Sequence, residues 1–408
     1  MKRIAIAGAG VAGLASAILL RRQGREVSLF DQVSDPTPVG AGLLLQPSGQ
    51  AVLARLGLLD AVRARAAVVN SLQGYTRRWR TLEMHYRDVQ ADWHGLGIHR
   101  ANLHQVLWQA AQASGAAFHT GNAIEGFAAT AAGVTVQHQH GSEPFDLLIL
   151  ANGTRSLLRE KLALTHHHQP YPWGAYWAVL ERDDWPFPDV LMQRYRGAHV
   201  MLGILPTGLN PLTGRRCYSL FWSLPRTSFS QLQQQGLASL VQQIAPVWPE
   251  VAEWLAGAEP HIAIAEYADV RLQPWHHENV IVIGDAAHAM SPQLGQGANM
   301  ALIDAWVLAQ ELERATATPG AKTSPLAAAL QRYSQRRARH IAYYQMTSRI
   351  MTPLYQSNLP LGWMRDIGTV IGRHIPPVYR QYLLTLCGAK QGTFDFKAAI
   401  DTLLEAPS

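Results

Sequence analysis

The chain has 408 residues, 35 Lys and Arg against 29 Asp and Glu for a formal net charge of +6, 48 % hydrophobic residues and only 16 % charged ones. That composition excludes a disordered chain, which needs high charge and little apolar material, and it implies a large core or an apolar-lined site. At about 100 to 200 residues per domain the length corresponds to two or three domains, and the basic excess leaves nucleic acid or a membrane surface open as partners.

Lys2 and Arg3 followed by the uncharged run Ile4 to Leu20 have the outline of a signal peptide. Three regularly spaced glycines interrupt that run and Arg21 and Arg22 follow it at once, so a secretory reading is rejected. No other stretch approaches the roughly 18 apolar residues of a membrane span, so no integral membrane association is expected. Cys217 and Cys387 are the two cysteines. They supply neither a disulfide framework nor a Cys-based zinc site, and a reducing cytoplasm fits.

Ile4 to Ala7 reads as a strand leading into Gly8-Ala9-Gly10-Val11-Ala12-Gly13, a GxGxxG turn. Leu14 to Gln23 then reads as a helix ending at Gly24, and Glu26 to Phe30 as a second strand ending at Asp31. Strand, glycine turn, helix, strand and acid form the dinucleotide-binding arrangement. Gly8 permits the tight turn, Gly10 lets a pyrophosphate approach the backbone, Gly13 lets the helix pack on the sheet, and Asp31 takes a ribose hydroxyl pair. Further on, Leu72 to Arg87 reads as a strand pair carrying Arg77, Arg78, Arg80 and Arg87, either a solvated face or a receptor for the phosphates of NAD(P)H or an anionic substrate. His166, His167 and His168 lack an accompanying carboxylate or cysteine, so a solvated connector is preferred to a metal cluster and no metal site is expected.

From Tyr171 to Pro225 the pattern becomes four strands, Gly174 to Leu180, Leu191 to Arg196, Ala198 to Leu205 and Arg216 to Leu224, which read as an antiparallel sheet. Tyr176, Gln193, Tyr218 and Trp222 are candidates to line a pocket on it, although alternation gives a face and not which face. Ser228 to Leu255 reads as helical and Ala263 to Arg271 as a returning strand. Asn279 to Ile283 is a buried-strand run that delivers Asp285 at its end, followed by a Pro/Gly loop and a helix from about Met300 to Glu313. A carboxylate there can accept hydrogen bonds from a polyol, and the free amides after Gly295 can hold partial negative charge. His288 in this loop is read as packing rather than as a general base. The tail from Arg332 to Ser408 is helical and rich in aromatics, with Tyr343, Tyr344, Tyr355, Trp363, Tyr379 and Tyr382 expected to pack on the nucleotide-binding unit.

Gly284-Asp285-Ala286-Ala287-His288-Ala289-Met290-Ser291-Pro292-Gln293-Leu294-Gly295-Gln296-Gly297-Ala298-Asn299 resembles the second FAD fingerprint of the single-component FAD-dependent aromatic hydroxylases. That family includes the para-hydroxybenzoate, salicylate, kynurenine and ubiquinone-biosynthesis hydroxylases and tetracycline-inactivating relatives. The resemblance spans nearly the whole chain: GxGxxG at Gly8, Gly40-Ala41-Gly42 with Pro47 and Gly57, His99 to Leu103, Leu150 to Gly153 with Ser156 and Arg159, and Tyr333 with Arg336 to Arg339. It implies that Gly8, Gly10 and Gly13 serve the FAD pyrophosphate and Asp31 the adenine ribose. It further implies that Arg100 reaches FAD, that Asp285 binds its ribityl and pyrophosphate region, and that Pro292 with Gly295, Gly297, Ala298 and Asn299 flanks the isoalloxazine. A helix N-terminus there would stabilise the anionic reduced flavin.

The implied fold is α/β: a discontinuous Rossmann-like FAD domain (1–70, 96–165 and 262–330), an interleaved antiparallel substrate domain (71–95 and 166–261) and C-terminal helices (331–408). The implied reaction uses NAD(P)H and O2 to hydroxylate an aromatic or polycyclic small molecule through a flavin C4a-hydroperoxide, and no catalytic residue is nominated. The chain departs from the pattern at Asn152, where the family usually has Asp, and at Ile303, where members often have Glu before Asp304-Ala305. A flavin-dependent reductase and a non-catalytic FAD-binding protein are the alternatives. A halogenase is disfavoured because Trp173 to Trp177 reads WGAYW and not WxWxIP. With FAD and NAD(P)H as ligands, part of the basic excess meets phosphates, and no nucleic acid partner is expected.

Overall fold

The computed structural model describes residues 1–35, 42–77, 79–162, 164–258, 260, 262–317, 324–397 and 400–405. Gly40, Ala41 and Arg78 of the motifs above lie outside the described residues.

In chain order the first elements are β1 (Arg3–Ala7), α1 (Val11–Arg22), β2 (Glu26–Asp31), β3 (Gly42–Leu45), α2 (Pro47–Arg55), α3 (Leu59–Arg63), β4 (Ala67–Val69), β5 (Ser71–Thr76), β6 (Trp79–His85) and β7 (Gly95–His99). There follow α4 (Arg100–Ala113), β8 (Ala117–Thr120), β9 (Ile124–Thr130), β10 (Gly133–His138), β11 (Gly141–Phe145), β12 (Leu147–Leu150), α5 (Leu157–Glu160), β13 (Thr165–Glu181), β14 (Val190–Arg196), β15 (Val200–Leu209) and β16 (Arg216–Pro225). The chain continues through α6 (Phe229–Ile244), α7 (Pro249–Ala258), β17 (Ile262–Gln273), β18 (His276–His277), β19 (Val280–Val282), α8 (Asp285–His288) and α9 (Gly297–Ala317). The last helices are α10 (Pro325–Tyr355), α11 (Gly362–Gly372), α12 (Pro376–Leu386) and α13 (Ile400–Leu404).

Strands β18, β19, β12, β1, β2 and β8 lie side by side in that order. From β19 to β8 every pairing is parallel. A parallel sheet is covered on both faces, so its strands read as continuous apolar runs; Ile4, Ala5, Ile6, Leu29, Ile149 and Ile281 are all fully buried. Helix α1 is buried from Ala12 to Leu20. That burial accounts for the uncharged N-terminal run.

The second large sheet has the order β17-β13-β16-β15-β14-β5-β6. It is antiparallel except where β14 runs parallel to β5. The strand pair read from Leu72 to Arg87 is the β5–β6 edge of this sheet. The three histidines are not a connector: they belong to β13, paired with β17 through His166–Leu272, His167–Arg271 and His168–Val270. Successive strand residues point to opposite faces, so the three rings cannot converge.

Period-2 alternation divides this sheet into two faces. Tyr176, Ala178, Val190, Met192, Leu202, Tyr218, Leu220, Trp222 and Leu224 form one core with Phe229, Leu240, Trp248 and Trp254 from α6 and α7. Leu191, Tyr195, Met201, Leu205 and Phe221 join instead the core of the nucleotide-binding layer, with Trp177 packed against it. Three of the four pocket-lining candidates therefore face the side covered by α6 and α7, away from the nucleotide-binding layer. Tyr176 donates from its hydroxyl to the Phe229 carbonyl at 2.9 Å, and Tyr218 and Trp222 pack on the same helix-covered side. Gln193 shares its face with Leu191 and Tyr195, towards the nucleotide-binding layer, where its Oε1 accepts from the Tyr195 hydroxyl at 2.8 Å.

The aromatic tail divides as well. Tyr333 and Tyr344 of α10 are fully buried and Tyr355 nearly so. Trp363 of α11 points outwards, against the expectation that the whole aromatic set packs inwards.

Candidate FAD and substrate site

The strand order places the carboxyl ends of β1, β12 and β19 side by side, where open parallel sheets bind ligands. Three glycine-containing turns meet at this edge. Gly8 has φ +104°, and a Cβ on it would press on the Ala151 carbonyl at 2.6 Å. A Cβ on Gly13 would collide with the Gly8 carbonyl oxygen, whereas one on Gly10 would meet nothing within 4 Å. The turn, the helix approach and the open backbone are therefore divided among the three glycines as the spacing suggests.

Asp31 reaches back to this turn: its Oδ2 accepts from the Ala9 backbone N at 2.7 Å and its Oδ1 from Val33 N at 2.9 Å. From the other side His104 of α4 donates Nε2–H to the Ala9 carbonyl at 3.0 Å. Burial lowers the His104 pKa, which keeps the ring neutral and suited to that single donation. Arg100 opens the same helix with its side chain exposed.

Asp285 follows β19 and Gly284, which has φ +61°. Its side chain is accessible, yet protein surrounds it closely enough that burial pushes its carboxyl above the usual range, with His288 and Arg100 pulling it back. Accessible and deep together describe a group on the wall of a cleft. A Cβ on Gly297 would come within 3.8 Å of Asp285 Oδ1, so the carboxylate stands at the start of α9. Gly295 and Gly297 are exposed beside it, with Pro292 and Ala298 half-buried.

Asn299 is fully buried and cross-links this region. Its Oδ1 accepts from Gln46 N at 2.9 Å, and its Nδ2 donates to the Leu44 carbonyl at 3.2 Å and the Gly295 carbonyl at 3.0 Å. It thus fixes β3 and the start of α2 against α9. The tail closes the same region: the Leu386 carbonyl accepts from Gln296 Nε2 at 2.7 Å and the Cys387 carbonyl from Ser48 N at 3.2 Å.

Asn152, Gln46, Gln293 and Gln296 each leave a buried amide atom without a partner. Four such atoms around one cleft are costly unless a ligand completes them, since an unmet buried polar group costs about 1–3 kcal/mol. An open glycine backbone, a carboxylate for a polyol and amides for a polar ring edge are the donor set that FAD requires, and the residues present fit it.

Beneath the cleft lies an ionic network. Asp304 Oδ2 accepts from His288 Nε2 at 2.6 Å and Gly284 N at 2.8 Å, and its Oδ1 from Arg337 Nε at 2.7 Å. Burial alone would raise the Asp304 carboxyl, but His288 and Arg337 hold it well below the usual carboxylate range. Arg337 also donates to His340 Nδ1 at 2.6 Å, and the His340 Nε2–H points to the Gly388 carbonyl at 3.3 Å. Burial and Arg337 hold His340 far below its ordinary pKa. His288, nearly fully buried, is therefore a strut between Gly284 and α9. Arg159 acts similarly, donating to the Ala286 carbonyl at 2.9 Å and the Thr154 carbonyl at 3.2 Å. Sequence reasoning did not find His104, Asp304, His340 or the amides of Gln46, Gln293 and Gln296. A hint lay only in Asp304 beside the departure at Ile303 and in the arginines near Tyr333.

Residues 1–347 match the family described as FAD binding domain. The 3-amino-4-hydroxybenzoate 2-monooxygenase PtnB3 of Streptomyces platensis is 30 % identical over 390 residues, covering 85 % of this chain and 87 % of that protein. The putative FAD-dependent monooxygenase YetM of Bacillus subtilis (strain 168) is 28 % identical over 350 residues, covering 83 % of this chain and 89 % of YetM. Among solved structures, Klebsiella pneumoniae HpxO complexed with FAD and uric acid superposes with a TM-score of 0.78 at 22 % identity, covering 94 % of this chain and 97 % of HpxO. That last likeness shows a shared fold.

Proposed function

The chain belongs to the FAD-binding family of FAD-dependent monooxygenases and aromatic hydroxylases, and from that membership we propose that it uses NAD(P)H and O2 to hydroxylate a small aromatic molecule held between the cleft and the Gln193 face of the large sheet. The observation that carries the placement is Asp285, accessible yet deep, beside Gly297 at the N-terminus of α9. Gly8, Gly10 and Gly13 would hold the pyrophosphate, Asp31 the adenine ribose, and Arg100 and Asp285 the central polyol and phosphates. Pro292, Gly295, Gly297, Ala298 and Asn299 would border the ring system. FAD, when bound, supplies the redox chemistry with NAD(P)H and O2.

The protein's own residues have narrower tasks. The N-terminus of α9 favours negative charge on whatever abuts it. Asn299 keeps that N-terminus fixed to α2, and the Asp304 network keeps Gly284 and α8 in register with α9. Gln193 offers an amide towards the substrate side, while Trp177 and Phe221, with ring centroids 5.3 Å apart, line the same face and exclude water. An aromatic substrate is supported by the relatives, among them proteins named for 3-amino-4-hydroxybenzoate and 3-hydroxybenzoate.

The test is direct. Purified protein should be yellow, and a panel of hydroxylated and aminated aromatic acids should contain one compound that accelerates NAD(P)H oxidation and gains one atom from labelled O2. Asp285→Ala should lose bound FAD while remaining folded. Reduction of substrate without incorporation of label would make the protein a reductase instead.

A further inference from the structure

The most exposed large apolar side chains of the β5–β6 edge and of α11 lie on adjacent elements. Trp363, Met364, Ile367 and Ile371 of α11 are 61, 48, 50 and 54 % exposed. At about 100° per residue these four positions fall within one stripe roughly 100° wide, while Gly362, Arg365 and Gly372 on the opposite side are buried. Helix α11 runs beside the β5–β6 hairpin: Arg365 Nη2 donates to Thr76 Oγ1 of β5 at 3.4 Å near the helix start, and Arg373 Nη1 lies 3.5 Å from Glu83 Oε2 of β6 near its end. Between them, at the hairpin tip, Trp79 is 78 % exposed.

Arginines outnumber carboxylates around this patch. Glu83 is met by both Arg80 at 3.0 Å and Arg373 at 3.5 Å, Asp366 is met by Arg365 at 2.7 Å, and Asp88 accepts from the Tyr379 hydroxyl at 2.7 Å. Arg77, Arg87 and Arg380 stand exposed around them, on a chain of net charge +6. A second copy would bring the same arginines against these. An anionic surface complements them, and tryptophans with arginines around an aliphatic stripe are what the headgroup boundary of a bilayer accommodates.

We propose that the α11 stripe and the β5–β6 tip form a peripheral docking face for an anionic lipid surface, with Trp79 and Trp363 at headgroup level and Ile367 and Ile371 inserted. No helix among the described residues is long and apolar enough to cross a membrane, and the attachment proposed is peripheral. None of the side chains of this face is among those placed around the FAD cleft, and the proposal does not depend on the identity of the substrate.

The FAD-loaded protein should co-sediment with phosphatidylglycerol-containing vesicles and not with pure phosphatidylcholine, with a blue shift in tryptophan emission. High salt and the double variant I367E/I371E should each weaken binding by about tenfold or more, since both Coulomb attraction and apolar insertion contribute. The variant should keep its bound flavin and its melting temperature, because both side chains are already exposed. Failure to bind anionic vesicles, equal binding to neutral ones, or unchanged binding by I367E/I371E overturns the proposal. So does a wild-type dimer that I367E/I371E converts to monomer, which would assign the face to a second copy.

Discussion

The two faces of the large sheet are made by the same strands, yet they differ in kind. The face under α6 and α7 is almost wholly apolar and aromatic, with Tyr176, Tyr218, Trp222, Trp248 and Trp254 in one core. The face towards the nucleotide-binding layer mixes apolar residues with polar ones: half-buried Gln193 and buried Thr207, Ser219 and Ser223 alternate with the first set along β14, β15 and β16. Aromatic density therefore marks the helix-covered core, and polarity marks the side turned towards the nucleotide-binding layer, where the proposed substrate would sit.

The sharpest way to break that contrast is Trp222→Ala. It should lower unfolding free energy by about 3–5 kcal/mol, the usual range for deleting a buried Trp, while the FAD content of the folded fraction stays unchanged. A normal denaturation midpoint combined with a raised KM would reverse the assignment of faces. Acid should separate the two sides next. His104 and His340 have folded pKa values below their ordinary 6.5, so the unfolded chain takes up more protons there. Their contribution is complete above pH 6.5 and falls as pH drops below it, by about 1.4 kcal/mol for each tenfold difference in proton affinity between the unfolded and folded chain. Asp304 is depressed as well, so its contribution is also lost as pH falls, but only below its ordinary 3.8. Both histidines and Asp304 lie on the nucleotide side. Flavin release between pH 7 and 5 should thus precede loss of tryptophan fluorescence from the α6–α7 core, and simultaneous loss would contradict the division.

Gln193→Leu should change kcat/KM for the aromatic substrate by about tenfold, equivalent to about 1.4 kcal/mol of barrier, with a shift in unfolding free energy smaller than that of Trp222→Ala. The smallest effect belongs to Tyr176→Phe. It removes one hydrogen bond to the Phe229 carbonyl and should cost about 1 kcal/mol, read as a lower denaturation midpoint with unaltered turnover.

How much of this was visible in the sequence follows from how local each feature is. GxGxxG, the acid at Asp31 and the strand-to-Asp285 turn are contiguous patterns whose meaning depends on backbone geometry, and each sits where its spacing suggests. The four strands between Gly174 and Leu224 were readable from alternation because period 2 is a local property. Which face of them is wet was not: the answer depends on α6 and α7 covering one side, a contact between segments far apart in the chain. The same reason hid the network that joins Asp304 to His288, Arg337 and His340, four residues from three elements that meet only in three dimensions. Trp363 was misassigned because an aromatic in an amphipathic helix carries no label for the outward side.

The hydrogen bonds from Gln296 to the Leu386 carbonyl and from Ser48 to the Cys387 carbonyl have a temporal meaning. A chain is made from its N-terminus and its early parts fold first, so the glycine turn and the parallel sheet can form long before Leu386 leaves the ribosome. The wall that Gln296 and Ser48 belong to stays open on one side until then. Cofactor loading would accordingly be a late event in the life of each molecule, and a chain stopped at residue 347, although it spans the whole family match, would carry the nucleotide fold without a finished place to keep its flavin.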